Sequence, residues 1–227
     1  RLAERLGADY VAGPEIGVAS TKAFTAQLPA LCLLGVALGI RKGKLNTVEI
    51  DTLRHCLLEL PGLIGQAVKT NESVRKVAST LVDAKSILYL GRGIHYPIAL
   101  EGALKMKELS YIHAEGYPAG EMKHGPIALI ESGVPVVFLA PVDSLHEKML
   151  SNIEEVKARG GRPIIITDSP AAFKDQGDDV IVVPPTHPAL APFLSVIPLQ
   201  LLAYHVAVLR GCDVDQPRNL AKSVTVE

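Results

Sequence analysis

Ser86-Ile87-Leu88-Tyr89-Leu90-Gly91-Arg92-Gly93 is an uninterrupted apolar run that stops on a Gly-Arg-Gly turn. A strand wetted on one face alternates polar and apolar side chains. A run without that alternation belongs in a sheet buried on both faces, as parallel sheets are. Similar runs recur at 134–139, 163–167 and 180–183. Between and after them lie helical segments: about 97–111, about 145–159 ending on Gly160-Gly161, and a long apolar stretch after Pro188. Strands separated by helices predict an α/β fold, a parallel sheet flanked by helices on both faces and joined by right-handed crossovers. Ligands of such sheets are expected beyond the carboxyl ends of the strands, at Gly91-Arg92-Gly93, Ala140-Pro141 and Thr167-Asp168. 

Upstream of this alternation the pattern changes. Asp9-Tyr10-Val11-Ala12 reads as the end of a short strand and Gly13-Pro14 as a turn. Ser20 or Thr21 can cap a helix running to about residue 40, broken by Arg41-Lys42-Gly43-Lys44. A second helix is expected over about 48–60, with Pro61 separating it from a further short one. One strand makes no sheet, so residues 1–70 read as part of a domain, 71–212 as a whole α/β unit and 213–227 as a tail.

Composition excludes several classes. Of 227 residues, 48% are hydrophobic and 21% charged, which describes a folded globular chain. The net charge of −1 gives no basic excess to offset a nucleic-acid backbone. The three cysteines, Cys32, Cys56 and Cys212, form neither a metal spacing nor a disulfide framework, which fits a reducing cytoplasm. The stretch 189–209 could pass for a membrane span. Pro198, Gln200 and His205 make it costly in lipid, so a buried helix and no membrane role is the expectation.

Chemistry concentrates in a few places. On the 97–111 helix, Glu101, Lys105 and Glu108 fall within about 60° of one another, and most other directions are apolar or small. Such a narrow stripe is either a pocket wall or an ordinary i,i+4 pair with a neighbour. The segment His113-Ala114-Glu115-Gly116-Tyr117-Pro118-Ala119-Gly120-Glu121-Met122-Lys123-His124-Gly125-Pro126 reads as a structured connection outside any regular element. Its spacing matches no zinc pattern, and His124 is either functional or a helix-end cap. Gly91-Arg92-Gly93 does not complete G-x-G-x-x-G, so no nucleotide cofactor is expected. Glu15-Ile16-Gly17-Val18-Ala19-Ser20-Thr21-Lys22 either turns backbone N–H groups toward a ligand or is a plain helix cap. The apolar residues of the tail allow it to dock over the body, although most C-termini fray.

Four of these segments together resemble the glucosamine-6-phosphate synthase family, also called glutamine–fructose-6-phosphate aminotransferases. They are Glu15 to Lys22; Gly91-Arg92-Gly93 with Glu101-Gly102-Ala103-Leu104-Lys105-Met106-Lys107-Glu108; Gly120-Glu121-Met122-Lys123-His124-Gly125-Pro126; and Asp213-Val214-Asp215-Gln216-Pro217-Arg218-Asn219-Leu220-Ala221-Lys222-Ser223-Val224-Thr225-Val226-Glu227. The resemblance implies a sugar-isomerase (SIS) fold, with residues 71–212 a second SIS subdomain and the mostly helical 1–70 the remainder of a first. It implies fructose-6-phosphate as substrate, glucosamine-6-phosphate as product, no cofactor and no metal. The partners it implies are a glutaminase domain in the same full-length protein and a second copy of the chain in a homodimer. The family's Ser/Thr-rich phosphate loops and its glutaminase domain have no counterpart in these residues, so the chain is expected to be the later part of the enzyme.

Residue roles follow from the same resemblance. Glu108 is expected to be the base that moves a proton from C1 to C2. Lys222 supplies the amine for a Schiff base, and His124 assists ring opening from a neighbouring subunit. Lys105 and Glu101 support the pocket, and Val18, Ser20 and Ala221 line it. A lysine nucleophile needs burial or a neighbouring cation, and Arg218, four residues before Lys222, is the candidate cation. A stand-alone SIS phosphosugar isomerase or deaminase, or a non-catalytic phosphosugar sensor, remain the alternatives. The tail favours the synthase over both.

Overall fold

The structure, a computed structural model, describes residues 13–221 apart from Asp175 and Asp178. Among the described residues three helices come first: α1 (Lys22–Arg41), α2 (Thr47–Val68) and α3 (Asn71–Ser79). Then strands and helices alternate: β1 (Ser86–Gly91), α4 (Tyr96–Ser110), β2 (His113–Pro118), β3 (Pro135–Leu139), α5 (His146–Lys157), β4 (Arg162–Thr167), β5 (Val180–Val182) and α6 (Ala191–Leu209). The strands form one all-parallel sheet in the order β2-β1-β3-β4-β5. The expected Asp9–Ala12 strand end lies outside the described residues.

The period-two geometry of a strand divides the apolar runs between two cores. Ile87, Tyr89, Val137, Leu139, Ile164 and Ile166 face α3, α4 and α6. Leu88, Leu90, Val136, Phe138 and Ile165 face α5 and the 3-10 turns that follow β2. Phe138 is fully buried, and burial of a side chain of that size contributes about 1.5–3 kcal/mol. The central strands therefore have no wet face, which is why their sequences show no alternation.

Two expectations are corrected. Pro61 does not end a helix; α2 runs through it to Val68. A reciprocal cap between Asn46 and Glu49 starts the helix, and Leu57, Leu60, Ile64 and Ala67 pack against one core on either side of the proline. That continuous apolar face offsets the hydrogen bond the proline removes. The second correction is β2, since His113–Pro118 was read as a connection. Among the described residues it is an edge strand, paired with β1 alone, where glycine, proline and charge are tolerated. Gly116 lets it lie close to α4: a Cβ there would sit 2.9 Å from the Leu100 backbone.

Helix α1 differs from the rest. None of its residues is buried, and Leu31, Leu33, Leu34, Leu38 and Ile40 face outward. It and the Pro188–Leu209 stretch are both long and apolar enough to cross a membrane. The latter is two-thirds buried inside the protein and acts as its central core helix.

Candidate active site

The acid–base–acid stripe forms at the C-terminal half of α4. Lys105 Nζ donates to Glu108 Oε2 at 2.5 Å and lies 3.6 Å from Glu101 Oε1. The Lys105 side chain is only 2% exposed, that of Glu101 8% and that of Glu108 21%. The lysine is thus sealed beneath two carboxylates of graded exposure, a placement that the few tenths of a kcal/mol of a surface pair do not describe. The helix is less enclosed than its composition implies, since Leu100 and Leu104 are each 42% exposed.

Glu101 is electrostatically distinct. Its Oε1 is buried without a hydrogen-bond partner. Burial pushes its pKa up to about 7, against the pull of the Lys105 charge and with a further push from Glu108. The native state therefore keeps a proton that the unfolded chain releases above its ordinary value of 4.5. The Glu101 contribution to stability is full below that value and falls as pH rises to about 7, by on the order of 1–3 kcal/mol. Urea unfolding from pH 4 to 8 should show this decline in the parent chain and a flatter profile in Glu101→Gln; parallel profiles would contradict it.

Two further segments converge on the end of this helix. One is the loop before α1. The other is the tail, which turns back after α6. Val18 N–H donates to the Asp215 carbonyl at 2.9 Å, and Gly17 packs against Asp215. Arg218 N–H donates to the Tyr111 hydroxyl at 2.8 Å, and its guanidinium carbon sits 4.2 Å from the centre of the Tyr111 ring. Leu109, Gly17 and Asp215 share a cleft of about 330 Å³ with Lys22, Gln200 and Tyr204. The loop bearing Val18 and Ser20 and the tail bearing Arg218 thus meet at the C-terminal end of α4, beside Leu109 and Tyr111. Ala221 is the last residue described, exposed at the end of the tail. Lys222, the expected Schiff-base amine, lies outside the described residues.

The loop itself caps α1 in an unexpected way. Neither Ser20 nor Thr21 caps it by accepting from the helix. The Glu15 carboxylate instead accepts from Thr21 N, Lys22 N and both hydroxyls. Partial burial opposes its ionisation, but these hydrogen bonds prevail and hold its pKa at about 2. The backbone donors that could have met a ligand are taken by this side chain.

His124 stands elsewhere. It ends the 3-10 turn Ala119–His124 and is exposed. Strand β2 pairs Ser86 with His113 and Gly91 with Pro118, so α4 delivers Glu108 to the amino end of the sheet and His124 follows the carboxyl end. Six extended residues span about 20 Å, which separates the two within one chain. The His124 turn is tied down through Lys123, which pairs with Glu155 at 2.7 Å.

The carboxyl ends of the central strands, where ligands were expected, are largely filled. The Arg92 guanidinium is held by Asn152 Oδ1 at 2.8 and 3.1 Å. A Cβ on Gly91 would meet the His95 carbonyl at 2.3 Å, so that glycine serves the turn. Buried His95, its pKa pushed down to about 4 by desolvation, fills the space beside Pro141 and Asp143. Among the described residues, no group of three His, Cys, Asp or Glu side chains is placed to hold a metal ion.

The chain has relatives among known proteins. Residues 80–210 match the family described as SIS domain. The chain is 56% identical over 219 residues to a glutamine–fructose-6-phosphate aminotransferase (isomerizing) of Pseudomonas putida, covering 96% of this chain and 36% of that protein. It is 54% identical over 220 residues to the protein of that name from Zymomonas mobilis, again covering 36% of it. Its fold resembles the C-terminal domain of glucosamine-fructose-6-phosphate aminotransferase from Francisella tularensis, with a TM-score of 0.85 and 45% identity, covering 90% of this chain and 58% of that one. The chain thus spans about a third of the length of the curated relatives it matches.

Proposed function

Because the chain belongs to the SIS domain family, we propose that it carries the isomerising chemistry by which fructose-6-phosphate and ammonia become glucosamine-6-phosphate. One observation carries this reading: the buried Glu101–Lys105–Glu108 stripe on α4, a helix whose C-terminal end, at Leu109 and Tyr111, is met by the loop bearing Val18 and Ser20 and by the tail bearing Arg218. The named relatives support the substrate.

The residues fit the following sequence. His124 assists opening of the sugar ring. The Lys222 amine adds to the C2 carbonyl, and loss of water leaves a Schiff base. Ammonia displaces the lysine and leaves the imine on C2. Glu108 takes the C1 proton to give an enolamine and returns a proton to C2, while O1–H gives up its proton and C1 becomes the aldehyde. The net change is addition of ammonia and loss of water, with no oxidation. Lys105 engages Glu108 Oε2, which orients the carboxylate and leaves Oε1 to take the proton. A lysine ordinarily titrates near 10.4, so Lys222 needs a dry or cationic setting to act as a nucleophile, and Arg218 four residues earlier is a suitable cation.

The separation of Glu108 from His124 favours a second copy of the chain, each supplying His124 to the other's stripe. The outward apolar residues of α1 favour reading 1–70 as the end of a first SIS subdomain, with 71–212 the second and 213–227 the tail. Ammonia would come from a glutaminase domain of the same polypeptide. The three cysteines, free in the structure, suit a cytoplasmic setting. The test is direct: the natural full-length polypeptide, given fructose-6-phosphate with glutamine or ammonia, should form glucosamine-6-phosphate. Release of free hexose-phosphate isomers without amination would favour the stand-alone isomerase instead.

A further inference from the structure

Among the described residues, two that are not glycine have positive φ: Tyr111 at 61° and Asn219 at 64°. Tyr111 is one partner of a contact with Arg218, and Asn219 is the residue after the other. Tyr111 is the left-handed C-cap of α4, three residues beyond Glu108, and Asn219 follows Arg218. Left-handed backbone is unfavourable for a bulky side chain and is normally given to Gly or Asn at a helix end. Asn219 is a residue type that tolerates this backbone, whereas Tyr111 marks a place where the surroundings dictate it. Here Tyr111 presents its hydroxyl to Arg218 N–H at 2.8 Å and its ring to the guanidinium at 4.2 Å. The tail's approach is shaped by Asp213 Oδ1, which accepts from the backbone N–H of Asp215 and Gln216, and by the Val18 contact.

We infer that Tyr111 is a positioning residue: a latch that fixes the root of the tail to the helix bearing Glu108, and so sets where the tail's amine can act. With Arg218 held by Tyr111, the four residues that follow reach at most about 14 Å from that anchor. Tyr111 touches no reacting atom. It acts through the tail, and its catalytic consequence rests on the functional reading above.

Two variants separate a latch from a general stabiliser, both made in the natural full-length polypeptide. Tyr111→Phe keeps the ring and removes the acceptor; Tyr111→Asn removes both and suits the left-handed backbone. Hydrogen exchange at the Arg218 amide should accelerate roughly five- to tenfold in Tyr111→Phe and roughly thirtyfold in Tyr111→Asn. The kcat for glucosamine-6-phosphate formation should fall in the same order with KM for fructose-6-phosphate little changed, while the melting temperature of Tyr111→Asn stays level or rises. Unchanged exchange in Tyr111→Asn overturns the latch. Faster exchange with unchanged kcat overturns its positioning role, as does a kcat loss that follows the melting temperature alone. If the parent enzyme makes no glucosamine-6-phosphate, the functional reading fails, and the exchange measurement alone decides whether the latch exists.

Discussion

Glu108→Gln should lower amination and isomerisation of fructose-6-phosphate by about a thousandfold, within the range a positioned general base supplies. The variant should still fold. Glutamine has the same shape, and Glu101 remains as a neighbour 3.6 Å from the Lys105 ammonium. Removing one partner of a buried ion pair is costly when it strands the other charge. Here Glu101, relieved of the Glu108 charge that helps to hold its proton, ionises more readily beside Lys105 and limits the loss to roughly 1–2 kcal/mol, well short of unfolding a domain of this size. Steady-state kinetics with circular dichroism measure both parts. Full activity in a folded Glu108→Gln protein would remove Glu108 as the base.

The second large effect concerns His124. Alone, His124→Ala should lower turnover by at least about a hundredfold, as should Glu108→Gln. Mixing the two variants should restore activity. In a mixed dimer with shared sites, one site carries both defects and the other carries neither. Random exchange of subunits should therefore recover about a quarter of the unmodified specific activity. The expectation comes from topology: Glu108 lies at the amino end of the sheet and His124 past its carboxyl end. A mixture no more active than its parents would place the whole site within one chain or remove His124 from it.

Much of this was legible in the sequence, for identifiable reasons. β1, β3 and β4 announced themselves because both their faces are buried, which leaves continuous Ile, Leu and Val. The α4 stripe was legible because helical periodicity is local: Glu101, Lys105 and Glu108 meet within one helix. β2 was hidden because its place at the sheet edge admits the glycine, proline and charges that ordinarily signal a loop. Pro61 misled because the packing of α2 outweighs a single lost hydrogen bond. The joints of the site were beyond reach. Tyr111 meets Arg218 across 107 residues, and Gln200 reaches Thr21 across 179. No local pattern distinguishes a tyrosine with a left-handed backbone from any other. The resemblance of the tail is the source of the proposed chemistry, while the contacts that hold the tail's root needed the fold.

The proposed amination rests on Lys222 in the tail and Glu108 on α4. Borohydride trapping tests it most directly. The full-length polypeptide is incubated with fructose-6-phosphate, reduced, digested and mapped by mass spectrometry. A hexose-phosphate adduct on Lys222, lost when fructose-6-phosphate is omitted, is the predicted result. An adduct on Lys105, or no adduct on either lysine in an enzyme that turns over, would contradict it.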